Sequence, residues 1–383
     1  MGLKVLTVFG TRPEAIKMCP VVKCLEENAD ITSLVCVTSQ HKEMLDQVLR
    51  IFHVVPDYDL DIMQQRQTIS EITTKILEGL TPILKIEQPD IVLVQGDTTT
   101  CLASALAAFY RKIPVGHVEA GLRSYDRYSP FPEEINRRIT SQIAEIHFAP
   151  TKENVCNLLQ ENIHDRLVIT GNTVIDSFKY TVRPGYQFKN KFLSKLIRSG
   201  KRLIIVTVHR RESIGEPLKE ICSAVKEIVR MHKDVEVICP VHLNPAVREI
   251  IYSILDQQER IYLVEPLDVE DMHNLMCKCD LVMTDSGGLQ EEAPYFHVPV
   301  IVLRNETERQ EAVKANTAVV AGVERKHIVD IANKILTNDI TYRKMALAEN
   351  PFGDGYASER IVMELLQWHA RREGNKLNVE GGV

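Results

Sequence analysis

Leu3-Lys4-Val5-Leu6-Thr7-Val8-Phe9-Gly10-Thr11-Arg12-Pro13-Glu14-Ala15-Ile16-Lys17 decides the fold class. An apolar, β-branched run meets a glycine, and a helical pattern with a proline at its start follows. That is the strand-turn-helix unit of a parallel sheet. Gly10 permits a tight turn and close approach by a ligand. The start of the helix favours anions, and Arg12 and Lys17 add two cations there. Read alone, both are equally well ordinary surface charges.

The same rhythm continues outward from this unit. Leu34–Thr38, Ile91–Gln95, Val115–Glu119 and His147–Ala149 read as strands. Glu14–Glu26, Ser70–Lys85, Thr98–Arg111 and Glu133–Ile143 read as helices between them. The pattern then restarts. Arg202–Val208, Glu236–Val241, Tyr262–Val264, Leu281–Thr284 and Val300–Leu303 are strand-like, with helices at Leu218–Met231, Ala246–Leu255 and Asp271–Cys277. Val182 to Gly200 carries no clear strand, and the boundary is expected near Gly171. The expected fold is α/β, with two Rossmann-like domains: residues 1–171, and residues 172–356. The polar, glycine-containing end from Gly374 is expected to fray.

Composition limits the function. The 383 residues are enough for two domains. A net charge of −6 and a pI near 6.1 argue against general nucleic-acid or membrane-surface binding. No stretch approaches the ~20 apolar residues of a membrane span, and the opening residues read as a strand rather than a signal sequence. The nine cysteines are scattered, several in apolar segments (Cys36, Cys101, Cys222, Cys239). Cys277 and Cys279 lack a second pair at zinc spacing. A reducing cytoplasm fits, and no metal or other cofactor is expected.

In open α/β sheets ligands bind beyond the carboxyl ends of the strands. Five further segments stand there. Gly96-Asp97-Thr98-Thr99-Thr100 offers Asp97 as an acid or as a helix cap. His117-Val118-Glu119-Ala120-Gly121-Leu122-Arg123 ends a strand in a carboxylate, which is either reactive or a partner for Arg123. Ser129-Pro130-Phe131-Pro132-Glu133-Glu134-Ile135-Asn136-Arg137-Arg138 enters a helix in extended form, with two glutamates suited to its dipole. His209-Arg210-Arg211-Glu212 suits an anion, and His209 titrates near neutral pH. Thr284-Asp285-Ser286-Gly287-Gly288-Leu289-Gln290-Glu291-Glu292 is a strand-turn-helix whose N–H groups suit a diphosphate, with Glu292 suited to ribose hydroxyls. Neither GxGxxG nor GxxxxGK[ST] occurs, which removes support for dinucleotide and P-loop sites.

Taken together, these motifs resemble the non-hydrolysing bacterial UDP-N-acetylglucosamine 2-epimerases, from Leu3 to about His369. Asn350-Pro351-Phe352-Gly353-Asp354-Gly355 also fits. The resemblance implies a glycosyltransferase-B-type fold with an interdomain active-site cleft, a C-terminal helix (about 357–370) returning to the first domain, and a homodimer. It implies interconversion of UDP-N-acetylglucosamine and UDP-N-acetylmannosamine by elimination of UDP to 2-acetamidoglucal and re-addition. The implied catalytic residues are Asp97, Glu119, Glu133 and His209, and which carboxylate is the base stays open. The implied UDP contacts are Arg12, Lys17, Ser286, Gly287, Gly288, Glu292 and Arg309. UDP-N-acetylglucosamine is also implied as an activator, at Gln40, His41, Arg66, Gln67, Arg210 and His242. The chain departs from the family pattern at Asn305-Glu306-Thr307-Glu308-Arg309-Gln310-Glu311, at Cys19 and at Phe352. The rival readings are a hydrolysing epimerase releasing N-acetylmannosamine and UDP, a nucleotide-sugar glycosyltransferase, and an inactive UDP-sugar-binding module.

Overall fold

The structure is a computed structural model. It describes residues 2–40, 42–64 and 67–380, with backbone alone for Arg211 and 375–380. The chain divides into two compact units, Met1–Tyr180 with Phe352–Val383, and Thr181–Pro351. The first crossing therefore falls beyond the expected boundary at Gly171.

Among the described residues of the first unit, seven strands form one parallel sheet. They are β1 (Leu3–Phe9), β2 (Ile31–Val37), β3 (Tyr58–Asp59), β4 (Ile91–Gln95), β5 (Val115–Val118), β6 (Ile146–Ala149) and β7 (Leu167–Ile169), in spatial order β3-β2-β1-β4-β5-β6-β7. The helices between are α1 (Arg12–Glu26), α2 (Lys42–Phe52), α3 (Ile69–Glu87), α4 (Thr99–Tyr110), α5 (Glu133–Ile143) and α6 (Lys152–Gln160). Short helices α7 (Thr173–Asp176) and α8 (Phe178–Thr181) lead out of the unit. Every residue of β4, β5 and β6 is buried, as expected of strands covered on both faces. Leu6, Val8, Val92 and Val94 pack with Leu80, Leu84, Cys101 and Ala105. A fully buried aliphatic side chain of this size contributes roughly 1.5–3 kcal/mol.

The second unit repeats the plan. Its described helices begin with α9 (Lys191–Ile197), inside the stretch that carries no strand signal. Then follow β8 (Arg202–Thr207), α10 (Glu216–Met231), β9 (Val235–Pro240), α11 (Pro245–Leu255), β10 (Ile261–Val264), α12 (Val269–Met276), β11 (Leu281–Thr284), α13 (Gly287–Glu292), β12 (Val300–Val302), α14 (Gln310–Lys314), β13 (Ala318–Val320), α15 (Arg325–Thr337) and α16 (Asp339–Ala346). The parallel order is β10-β9-β8-β11-β12-β13. α10 buries Leu218, Ile221, Cys222, Val225, Ile228 and Val229, the three-and-four spacing of one helical face. That face packs with Val206, Val237, Met283, Ile301 and Ile328.

α17 (Ala357–Glu380) belongs to the first unit and runs past Gly374, where composition predicts fraying. Ile361, Leu365 and Trp368 are buried, and the Trp368 indole N–H donates to Glu145 Oε1 at 2.8 Å. No helix among the described residues is long and apolar enough to cross a membrane.

Both sheets reverse direction once. In the first the reversal lies between β1 and β4, in the second between β8 and β11. Ligands of doubly wound sheets bind at that switch point. The residues just beyond these four strands are Gly10-Thr11, Gly96-Asp97, Val208-His209 and Asp285-Ser286.

Candidate active site

In the first unit the turn after β1 is organised by Glu14. Its buried carboxylate accepts the Gly10 and Thr11 N–H groups at 3.1 and 2.7 Å and the Thr98 hydroxyl at 2.6 Å. Burial raises its pKa, against those hydrogen bonds. Thr11 and Glu14 form a capping box, so an internal carboxylate occupies the N–H groups expected to attract a ligand anion. The close neighbour at Gly10 is likewise internal. A Cβ there would lie 1.9 Å from Thr38 Oγ1 and 2.8 Å from Thr100 Oγ1. Arg12 is the first residue of α1 and is half-buried.

The turn after β4 sets Asp97. The cap of α4 is Thr98, whose hydroxyl accepts the Cys101 N–H at 3.0 Å, so Asp97 is not needed for capping. The Asp97 carboxylate pairs with Arg137 at 2.6 Å, and its carbonyl accepts from the Asn136 amide at 2.9 Å. The pair Glu133-Glu134 divides its labour. Glu134 is buried and braces the loop before α5, accepting from Ser124 N–H and Oγ, Tyr125 N–H and Arg137. The Glu133 side chain, beside it in the first turn, makes no hydrogen bond or ion pair with the described residues. The segment entering α5 is a turn rather than the extended form expected.

Glu119 lies just beyond β5 with φ +64°, a left-handed backbone that side-chain-bearing residues seldom adopt. Its partner is not Arg123, which is buried against Glu161 at 3.1 and 2.7 Å. Instead, Lys17 and the Gln95 amide donate to the Glu119 carboxylate, as does the Asn172 amide at 3.2 Å. Lys17, expected among the diphosphate contacts, thus has its ammonium on a carboxylate of its own unit. Sequence reading singled out neither Gln95 nor Asn172.

His117 supports this cluster from below. Its ring nitrogen Nε2 lies 2.7 Å from the Gly96 carbonyl, an acceptor only, so Nε2 carries the hydrogen. Burial pushes its pKa down to about 3, against that hydrogen bond, from 6.5. Above pH 6.5 neither folded nor unfolded chain protonates this ring. Below it the unfolded chain takes a proton that the folded chain refuses, so stability falls as pH drops from 6.5 towards 3. The contribution is about 1.4 kcal/mol per pH unit. His117→Gln keeps an N–H donor without the titration. Urea unfolding across this window should give a shallower pH slope for the variant, by about one proton.

In the second unit Asp285 does what Glu14 does in the first. Fully buried, it accepts the His209 N–H at 2.9 Å, the Arg210 N–H at 2.8 Å and the Ser213 hydroxyl at 2.9 Å. The backbone donors of the His209-Arg210 turn are therefore taken internally. His209 Nδ1 also lies 3.3 Å from Asp285 Oδ1, and the ring stacks on His242 at 5.6 Å. Burial lowers the His209 pKa more than Asp285 raises it, leaving a neutral ring at pH 7.

Ser286 stands at the N-cap of α13 without a side-chain cap bond. Gly287 lets the Arg309 guanidinium lie close: a Cβ there would come 2.7 Å from Arg309 Cζ, so the guanidinium would have to shift. Arg309 is held over it by Glu291, which accepts from Nε at 2.9 Å. The departing loop is ordered by Thr307, which donates to Gln290 at 2.6 Å and accepts the Arg309 N–H at 3.1 Å. Beside it Glu308 is bound by Arg304. Burial would raise its pKa, but the two Arg304 hydrogen bonds outweigh this and hold it at about 2. Glu292 lies 3.1 Å from a Cβ built on Gly288 and 3.5 Å from His273 Nε2. Gly287→Ala should displace the Arg309 guanidinium, raising KM roughly 10-fold for a substrate whose anion meets this turn, with little change in Tm. An unchanged KM would mean that Arg309 does not meet the substrate.

Of the expected activator residues, Gln40 donates its N–H to the Gly10 carbonyl at 3.1 Å and accepts from Thr100 at 3.5 Å. Gln67 is tied to its own loop through Ile62 and Gln64. Arg210 and His242 flank His209. His41 and Arg66 lie outside the described residues. No group of three or more His, Cys, Asp or Glu side chains suited to a metal occurs among the described residues.

A family model described as UDP-N-acetylglucosamine 2-epimerase matches residues 23–366. The UDP-N-acetylglucosamine 2-epimerase of Bacillus subtilis is 51% identical over 372 residues, 97% of each chain. That of Escherichia coli K12 is 51% identical over 370 residues, 95% of this chain and 98% of its own. The crystal structure of UDP-GlcNAc 2-epimerase from Neisseria meningitidis bound to UDP-GlcNAc is 47% identical, with a TM-score of 0.86 over 95% of this chain and 100% of that one.

Proposed function

The chain belongs to the UDP-N-acetylglucosamine 2-epimerase family, and from that membership we propose that it interconverts UDP-N-acetylglucosamine and UDP-N-acetylmannosamine without net hydrolysis. The observation that carries this reading is the Glu119 carboxylate, held by Lys17, Gln95 and Asn172 beside an Asp97–Arg137 pair. Two carboxylates beyond the adjacent strands β4 and β5 suit proton traffic at a carbon that is only weakly acidic.

In the elimination, a carboxylate takes the proton from carbon 2. The bond from carbon 1 to oxygen breaks, its electron pair leaves on the UDP oxygen, and a double bond forms between carbons 1 and 2. In the return step that oxygen adds back to carbon 1 while a proton reaches the opposite face of carbon 2. Inversion thus needs a proton-carrying group for each face, and Asp97, Glu119 and Glu133 are the candidates. Charge grows on the departing diphosphate. We assign its stabilisation to His209, Ser286, Gly287, Gly288 and Arg309 of the second unit. Glu292 would take the ribose hydroxyls. No step consumes an oxidant, a reductant or a metal ion.

The test is incubation with UDP-N-acetylglucosamine in heavy water, followed by NMR. Deuterium at carbon 2 in UDP-N-acetylmannosamine supports the proposal. Free N-acetylmannosamine with UDP would replace it with hydrolysis, and no change without an added acceptor would point to a transferase. We further propose that UDP-N-acetylglucosamine acts as an activator, because Gln40 touches the Gly10 turn and His242 stacks on His209. A sigmoidal response to UDP-N-acetylmannosamine, relieved by UDP-N-acetylglucosamine, is its signature; a hyperbolic, insensitive response removes it.

A further inference from the structure

Glu119 is gripped from three separate parts of the first unit. Lys17 of α1 and Asn172 meet Oε1, while Gln95 at the end of β4 meets Oε2. Asn172 comes from the segment by which the chain leaves the unit, and it is 3% exposed. Its amide orientation is fixed by chemistry. Oδ1 caps α7 by accepting the Val174 N–H at 3.1 Å, and a backbone N–H can only donate. The oxygen must face Val174, so the NH₂ group must face Glu119.

The backbone of Asn172 is fixed as well. Its N–H donates to the Phe352 carbonyl at 2.7 Å, where the returning chain re-enters the unit. Asp176 then accepts the Ala357 and Ser358 N–H groups at 3.2 and 2.7 Å. Outgoing and returning segments therefore hold each other, and Asn172 extends that joint to the Glu119 carboxylate.

We propose that Asn172 is a positioning residue for Glu119, aiming its carboxylate for proton transfer at carbon 2; this rests on the role given to Glu119 above. Glu119 leaves a left-handed backbone, so its direction is not set by ordinary strand geometry. A carboxylate with one unheld oxygen rotates, and directed donors on both oxygens stop that rotation. Lys17 supplies charge but is a flexible point donor, whereas the capped amide is rigid. The titratable and charged groups around Glu119 include Lys17, the buried His117 of β5, Cys101 of α4 and the Asp97–Arg137 pair.

Asn172→Ser keeps a cap-forming oxygen but is too short to reach Glu119. Asn172→Asp keeps the cap and the length but presents an acceptor in place of the donor. Both would be compared with Glu119→Gln in steady-state epimerisation across pH, with thermal midpoints recorded. For Asn172→Ser we expect kcat to fall about 10–30-fold with KM within about 2-fold, as for the loss of one hydrogen bond to a charged group. Removing a donor from a carboxylate disfavours its charged form, so the limb of the pH profile governed by Glu119 should move to higher pH. Asn172→Asp should move it further. Wild-type kcat and pH profile in Asn172→Ser, with Glu119→Gln inactive, would overturn the positioning role alone. So would a loss of kcat that follows a lowered midpoint while the pH profile stays in place. Turnover surviving in Glu119→Gln would overturn the role of Glu119 itself, and this inference with it.

Discussion

Glu119→Gln is expected to lower kcat about 10³-fold, within the range attributable to one proton-transferring group. The substitution is isosteric, so packing is unchanged. What it removes is charge and basicity. Three donors converge on this carboxylate from Lys17, Gln95 and Asn172. A glutamine offers one acceptor oxygen and turns an NH₂ group towards at least one of those donors. The local cost falls on the half-buried Lys17, whose ammonium loses its counter-charge. The fold should persist, because the buried strands β4, β5 and β6 keep their packing when only the Glu119 carboxylate is changed. Asp97→Asn is the companion. It weakens the pair with Arg137 but leaves Arg137 bound to Glu134, so the loop before α5 stays braced. Each variant should lose most epimerisation and most deuterium incorporation at carbon 2 while keeping a cooperative thermal transition. Near-normal turnover in both would sink the assignment of these carboxylates.

Most strands and helices were legible because a buried parallel strand must be apolar on both faces, and such runs are easily found between amphipathic helices. The short edge strands were not. β3 has two residues, and β7 is only half-buried, so neither has enough apolar pattern to register. The candidate site was legible as motifs and illegible as contacts. Thr11 and Glu14 carry a local capping-box spacing, a signal that sequence reading passed over. Asp97 and Thr98 are both good caps, and only the backbone decides that Thr98 takes the role. Lys17 and Glu119 are separated by 102 positions, and His209 and Asp285 by 76, so no local pattern pairs them. Arg12 and Lys17 look alike near one helix start, yet Lys17 reaches across the switch point to a carboxylate.

Asp285→Ala should do more damage to the second unit than any change on its surface. The carboxylate is buried and accepts from two backbone N–H groups and a hydroxyl, with the His209 ring beside it. Alanine leaves those donors buried without acceptors, at a cost of about 3–5 kcal/mol, lowering Tm by roughly 10 °C. Asp285→Asn is the sharper probe of mechanism. One acceptor oxygen remains and most of the turn can hold, but an NH₂ group must face a donor of the His209-Arg210 turn. The ring also loses the neighbouring charge that raises its pKa against burial. We expect kcat to fall about 10²-fold with a modest loss of Tm. If Asp285 acts through His209, the two changes will not add. The double variant Asp285→Asn/His209→Asn should be no slower than His209→Asn alone, since the aspartate has nothing left to orient. Multiplicative losses in that cycle would show Asp285 acting on the substrate by another route, and undiminished activity in Asp285→Asn would free the histidine from any dependence on it.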